Sequence, residues 1–270
     1  MKSFKKNWWK VILIVVACVF LDASLHALVS PINSSNTSFF KPSIFVKKGL
    51  LIPSFFAYAL IDFGVLAMVF IFIQDNLPNK KWVKGFLYGF SFGGLYFIGM
   101  FEGILLWQDT VLNSFLMGMT DFVSIVAMGT LLGIFIGTNG TKDKNRQTVF
   151  SVFVIALCYI IGRYFSYSIL HMTSAYSTEP LGTFIWTIFQ GLWVGLIYFI
   201  LQSGIKGKSV ISQGSFFGFA ILGLNWLMYD LFIAIVYEVS FMDIFIRVAV
   251  DSLFSILGIL AYRKLFAKRH

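Results

Sequence analysis

The sequence predicts an all-α, polytopic membrane protein of eight transmembrane helices, built as two parallel four-helix repeats with both termini cytoplasmic. Three observations carry that expectation. Of 270 residues, 58% are hydrophobic and 12% charged; an average soluble domain carries roughly 25% charged residues, and so few cannot cover a soluble surface. Eight apolar stretches approach or exceed the ~20 residues that cross a bilayer as a helix. Basic residues also segregate between alternate loops, as insertion into a membrane requires.

The stretches lie at 8–29, 50–73, 84–103, 111–137, 148–171, 182–203, 213–237 and 241–262. The first follows a basic start, Met1 to Lys10, and resembles a secretory signal. It lacks a small-residue cleavage site, and Asp22 and His26 follow its apolar core directly, so it reads as a retained helix. With the N-terminus cytoplasmic, the inner side receives Lys2, Lys5, Lys6, Lys10, Lys80, Lys81, Lys84, Lys142, Lys144, Arg146, Lys206 and Lys208. Arg263, Lys264, Lys268 and Arg269 join them, which makes 16 against the outer Lys41, Lys47 and Lys48. An odd helix count destroys that separation.

Topology thus accounts for the net charge of +9. No zinc knuckle, recognition helix or aromatic–basic platform points to nucleic acid. The expected surroundings are the lipid bilayer. Cys18 and Cys158 each stand alone in an apolar run and read as small hydrophobes rather than a disulfide. The N-x-S/T triplets at Asn33, Asn36 and Asn139 are too short to be informative.

An internal repeat follows from matching positions. Gly89-Phe90-Ser91-Phe92-Gly93-Gly94-Leu95 returns 129 residues later as Gly218-Phe219-Ala220-Ile221-Leu222-Gly223-Leu224. Glu102 then pairs with Asp230, Asp121 with Asp251 and Asp62 with Gln190 near the same offset, and Leu25-His26 with Leu170-His171 if the first loop is longer. An even number of helices per copy makes the repeats parallel. The units are 1–138 and 148–270, with a cytoplasmic linker at 139–147. Glycines spaced four apart, Gly85, Gly89 and Gly93 and then Gly214 and Gly218, read as seams for close helix packing.

Charged side chains are costly inside a bilayer, by about 2.5–3.5 kcal/mol at a helix centre, and normally face a bundle interior or cavity. The spans hold Asp22, Asp62, Glu102, Asp121, Asp230 and Asp251 with Arg163, Arg247, His26 and His171. Six acids against two arginines leave at least four carboxyls to be protonated, hydrogen-bonded or hydrated. Asp22 and His26 share a helix face. Asp243, Arg247 and Asp251 form an i, i+4, i+8 ladder, and Arg163, Tyr167 and His171 a similar stripe. Most of these residues fall in the outer half of the bilayer, which points to a polar cavity there. The competing structural reading makes the carboxyls helix-binding glue and the ladder an internally neutralised stripe.

No cofactor is expected from any motif. A bound metal is the alternative: zinc catalysis commonly uses three protein ligands and an open position, and His26, His171 and Asp22 supply such a set, His270 lying on the cytoplasmic tail. Neither HExxH nor GxSxG occurs.

The first half also resembles a family of small bacterial integral membrane proteins of unknown function, each a single four-helix unit. The likeness rests on Phe20-Leu21-Asp22-Ala23-Ser24-Leu25, on the Gly-rich run from Gly89 to Glu102, and on Met119-Thr120-Asp121-Phe122. Met228-Tyr229-Asp230-Leu231 and Val250-Asp251-Ser252-Leu253 match the latter two places in the second half. Tyr167 stands where Asp22 would fall, and Trp is missing after Asp121 and Asp251. The resemblance implies the fold, a bacterial cell membrane and the acidic positions, and no activity.

The expected function is a carrier for a small solute or ion, with Asp22, Glu102, Asp121, Asp230, Asp251 and Arg247 lining its site and an unpaired carboxyl supplying proton coupling. The alternatives are a metal-dependent membrane enzyme acting on a lipid or outer-leaflet substrate, and a non-catalytic assembly or lipid-binding factor.

Overall fold

The structure, a computed structural model, describes residues 2–29, 41–140, 148–205, 207 and 209–266, with side chains from Asn7 onward. Eight of its helices are long and apolar enough to cross a membrane: α1 (Asn7–Val29), α2 (Leu51–Asn76), α3 (Lys81–Trp107), α4 (Val111–Phe135), α5 (Phe150–Ser168), α6 (Pro180–Gly204), α7 (Val210–Val236) and α8 (Phe241–Phe266). No strand occurs among the described residues. The chain is an integral membrane protein by these helices. The expected Asn33 and Asn36 triplets, most of the 139–147 linker, and Lys206, Lys208, Lys268, Arg269 and His270 lie outside the described residues.

Local sequence sets the helix ends. Thr110 accepts the Asn113 amide at 3.1 Å and caps α4, and Ser209 does the same for Ser212 at 3.1 Å at the start of α7. Pro180 opens α6, where its missing N–H costs nothing. Two of the differences from the expected boundaries move candidate site residues. α3 turns at Phe101 and continues to Trp107, which carries Glu102 into a separate short turn of helix. α5 stops at Ser168, which puts His171 beyond it. Lys84, expected in a loop, is buried in the first turn of α3 and donates its Nζ to the Gln74 carbonyl at 2.8 Å.

Within each half the packing follows one scheme. α4 lies against α3 and α1, and α1 against α2; α8 lies against α7 and α5, and α5 against α6. The halves join through α3 on α6 and α2 on α7. Glycine makes the closest of these contacts possible: a Cβ on Gly129 would stand 2.8 Å from Gly89 Cα, and one on Gly133 2.9 Å from Gly85 Cα. α3 and α4 therefore touch backbone to backbone along the predicted seam. In α7, Gly214 and Gly218 face Ile256 of α8.

The α7 backbone departs from α-helix over Phe216–Gly223, where it forms a π-helix. That segment covers most of the stretch, 218–224, whose sequence echoes the glycine run of α3. At the bundle end opposite Lys2 and Phe266, the segment 41–50 is tied to the α7–α8 loop: Glu238 donates its amide to the Lys41 carbonyl at 2.8 Å, Ser43 N donates to Val236 O at 3.0 Å, and Lys47 faces Glu238 at 3.2 Å. Buried Leu66, Phe70, Tyr88, Leu95, Met128 and Trp226 belong to the core, while Phe20, Ile61, Phe153 and Phe189 are exposed on the flanks as lipid-facing side chains should be.

Candidate functional site

The ionisable side chains gather into two clusters of different character. The first is built on α1, α2 and α4. One helical turn separates Asp22 from His26, and Nδ1 of the imidazole lies 3.6 Å from Asp22 Oδ2. Packing of α4 on α1 brings Asp121 to the other edge of the ring, its Oδ1 3.6 Å from Nε2. His26 thus stands between two carboxyls, one at each nitrogen. Thr120 Oγ1 lies 3.1 and 3.0 Å from the two ring nitrogens, and Nδ1 is 3.1 Å from the Asp22 carbonyl oxygen. Asp22 is 3% exposed, and its Oδ1 has no hydrogen-bond partner.

Asp62 of α2 completes this cluster. It is buried, and accepts from Tyr96 Oη at 2.7 Å; the same hydroxyl is 3.0 Å from the Asn225 carbonyl on α7. Asp22, His26, Asp62, Asp121, Tyr58 and Tyr96 all line a cavity of about 50 Å³, and among the described residues no Lys or Arg does so. That volume accommodates a water molecule or an ion, not an organic solute. Like charges ~5 Å apart repel by roughly 3 kcal/mol at an effective dielectric of 20. Two carboxyls flanking one imidazole, with a third lining the same cavity, therefore call for a proton or a cation.

The second cluster contains the arginines. Arg163 of α5 is fully buried with its Nη2 2.7 Å from Asp251 Oδ2 on α8. Tyr159 Oη is within 3.0 Å of Arg163 Nε and donates to Asp251 Oδ2 at 3.3 Å, and Trp226 Nε1 donates to the same oxygen at 3.0 Å. The guanidinium lies 5.2 Å from the Trp186 ring centroid and 5.7 Å from that of Trp226, within cation–π range. Arg247 pairs with Glu102 of α3, Nη1 to Oε1 at 3.2 Å, and its Nη2 donates to the Thr173 carbonyl. Tyr229 bridges the clusters: it lines the first cavity and stacks on Trp226 with ring centroids 4.8 Å apart.

Several sequence expectations change here. The ladder Asp243–Arg247–Asp251 is not internally neutralised, because Arg247 reaches across to Glu102 and Asp251 across to Arg163. Asp121 and Asp251, expected to line one site, belong to different clusters. The group among the described residues that could hold a metal ion is Asp22, His26 and Asp121, with candidate ligand atoms within 4.8 Å of one another. His171 is not part of it: α5 ends too early, and His171 sits exposed in the following loop with φ of 51°. Of the six acids within the spans, Asp22, Asp62, Asp121 and Asp230 have no arginine or lysine within ion-pair distance among the described residues.

Sequence reasoning left Tyr58, Tyr96 and Thr120 out of the site. The two tyrosines are unremarkable among 11, Thr120 is an ordinary helix residue, and only helix packing singles the three out. No protein-family model, no curated protein and no solved structure matches this chain.

Proposed function

We propose that this membrane protein is a proton-coupled carrier for a small solute, with the proton exchanged at Asp22, His26 and Asp121. The observation that carries the reading is the imidazole held 3.6 Å from a carboxyl at each of its nitrogens, in a cavity free of lysine and arginine. A ring so placed can accept a proton at one edge and release it at the other, a role suited to histidine. The second cluster, where each arginine has its own carboxylate, serves as the fixed counterpart.

The matching sequence positions of the two halves support the same reading, because carriers built from repeats place their sites where the copies meet. Tyr58 of α2 donates to the Met228 carbonyl on α7 at 2.6 Å, and Trp186 of α6, 128 positions later, donates to the Ile98 carbonyl on α3 at 2.9 Å. These two reciprocal bonds, with the common packing scheme, favour two parallel repeats. The loop charges favour cytoplasmic termini, and the resemblance to single four-helix bacterial proteins agrees with both the repeat and a bacterial cell membrane.

Proteoliposomes loaded with a pH-sensitive dye and challenged with organic cations, organic anions and neutral solutes test the reading. At least one class should drive a luminal pH change with wild-type protein, and Asp121→Asn should abolish it while remaining folded. Normal proton-coupled flux in that variant sinks the mechanism.

A second reading has its own support. Asp22, His26 and Asp121 offer three donors and leave further positions open, the pattern of a catalytic zinc site. Native mass spectrometry with metal analysis separates the readings: a stoichiometric transition metal lost in His26→Ala favours a metal-dependent enzyme.

A further inference from the structure

The end of the bundle away from the termini holds a second opening, distinct from the cavity at His26. It has a volume of about 400 Å³, within the range of small-molecule sites. Its walls come from the turn that ends α3, the α5–α6 loop and the α7–α8 corner, with Trp107, Ile233, Val239 and Met242 as apolar surface. Trp107 is backed by Tyr237, stacked at 5.4 Å.

The charges that face this opening do not cancel. Arg247 is engaged by Glu102 at 3.2 Å and by the Thr173 carbonyl, and Glu238 is engaged by Lys47 at 3.2 Å. Nearby Arg163 is committed to Asp251 at 2.7 Å. Asp230 and Asp243 are left. Asp230 is 1% exposed, yet both of its carboxyl oxygens lack a hydrogen-bond partner and the residue lines the opening. Two unpartnered oxygens at such depth are a strong unmet demand for N–H or O–H donors. Asp243 lines the same opening, one helical turn before Arg247.

We infer that this opening binds a small primary amine, its ammonium group donating to Asp230 and its apolar body lying against Trp107. An ammonium supplies both the missing charge and the missing donors, and an aromatic wall offers the apolar body a large contact face. A quaternary ammonium supplies the charge without the donors. An organic anion meets Asp230 and Asp243 and finds Arg247 already occupied. For the carrier reading, on which this substrate assignment rests, the amine is the solute; as a binding site it stands without any flux.

Calorimetry on the purified full-length protein in detergent tests the site with phenethylamine, its N,N,N-trimethyl derivative and hydrocinnamate. Phenethylamine should bind saturably, with affinity reduced about tenfold or more by trimethylation and by Asp230→Asn, and hydrocinnamate should not bind. Should Asp230→Asn fail to fold, Asp243→Asn supplies the comparison, with affinity about threefold lower as for a partly exposed charge. No saturable binding, an unchanged affinity in the folded Asp230→Asn variant, an unchanged affinity in Asp243→Asn where that comparison is needed, or preference for hydrocinnamate overturns the inference. Asp121→Asn should keep its phenethylamine affinity while losing flux, so failure of the carrier reading and failure of this site give different results.

Discussion

Arg163 carries the largest stake of any single residue in the second cluster. It is fully buried, 2.7 Å from Asp251 and enclosed by Tyr159, Trp186 and Trp226. Removing one member of a buried pair strands the other charge and costs about 3–5 kcal/mol, whereas replacing both by apolar residues is often neutral. Arg163→Leu should therefore lose most of that amount in denaturant titrations, and Arg163→Leu with Asp251→Leu should recover it. A double variant no more stable than the single one contradicts the pairing. The pairing was not legible in the sequence. Spacing linked Asp22 to His26, which share a helix face, but also linked Asp251 to Arg247, which turn to different helices. Within one helix, period decides who can meet; between helices, packing does, and a lone chain does not print it. His171 was misread for a related reason: the apolar run continues past Ser168 although the helix stops there.

Helices approach closely where glycine lines both faces. Gly129 leaves no room for a methyl group against α3, so Gly129→Ala should destabilise the bundle by about 1–3 kcal/mol, as overpacking does. Gly64 on α2 has open space where its Cβ would stand, and Gly64→Ala should be neutral or stabilising by up to about 1 kcal/mol through helix propensity. Folded fractions in detergent titrations compare the two, and equal losses argue against the seam. The four-residue glycine spacing did foretell this contact in α3. Its partner glycines on α4, Gly129 and Gly133, share the spacing without having been singled out. The π-helical segment of α7 left no such mark, because its sequence reads as an ordinary apolar helix.

The whole molecule was the most legible level. Length of apolar runs and the 16-to-3 division of basic residues near the span ends predict eight spans from the sequence, and eight such helices form, since a bilayer constrains every helix alike. Orientation is checked by single cysteines in a chain lacking Cys18 and Cys158. Ser240→Cys should react with a membrane-impermeant maleimide on intact cells, and Lys81→Cys only after permeabilisation; the reverse pattern inverts the topology. Which cluster does chemistry was less legible, because acids were visible one by one while the cavity that groups them was not. The central claim, that Asp22, His26 and Asp121 share an exchangeable proton, is tested most directly by pH-induced infrared difference spectroscopy on the reconstituted protein. The account predicts a carboxyl carbonyl band that disappears in Asp121→Asn and shifts in His26→Gln. Spectra identical to wild type in both variants would contradict it.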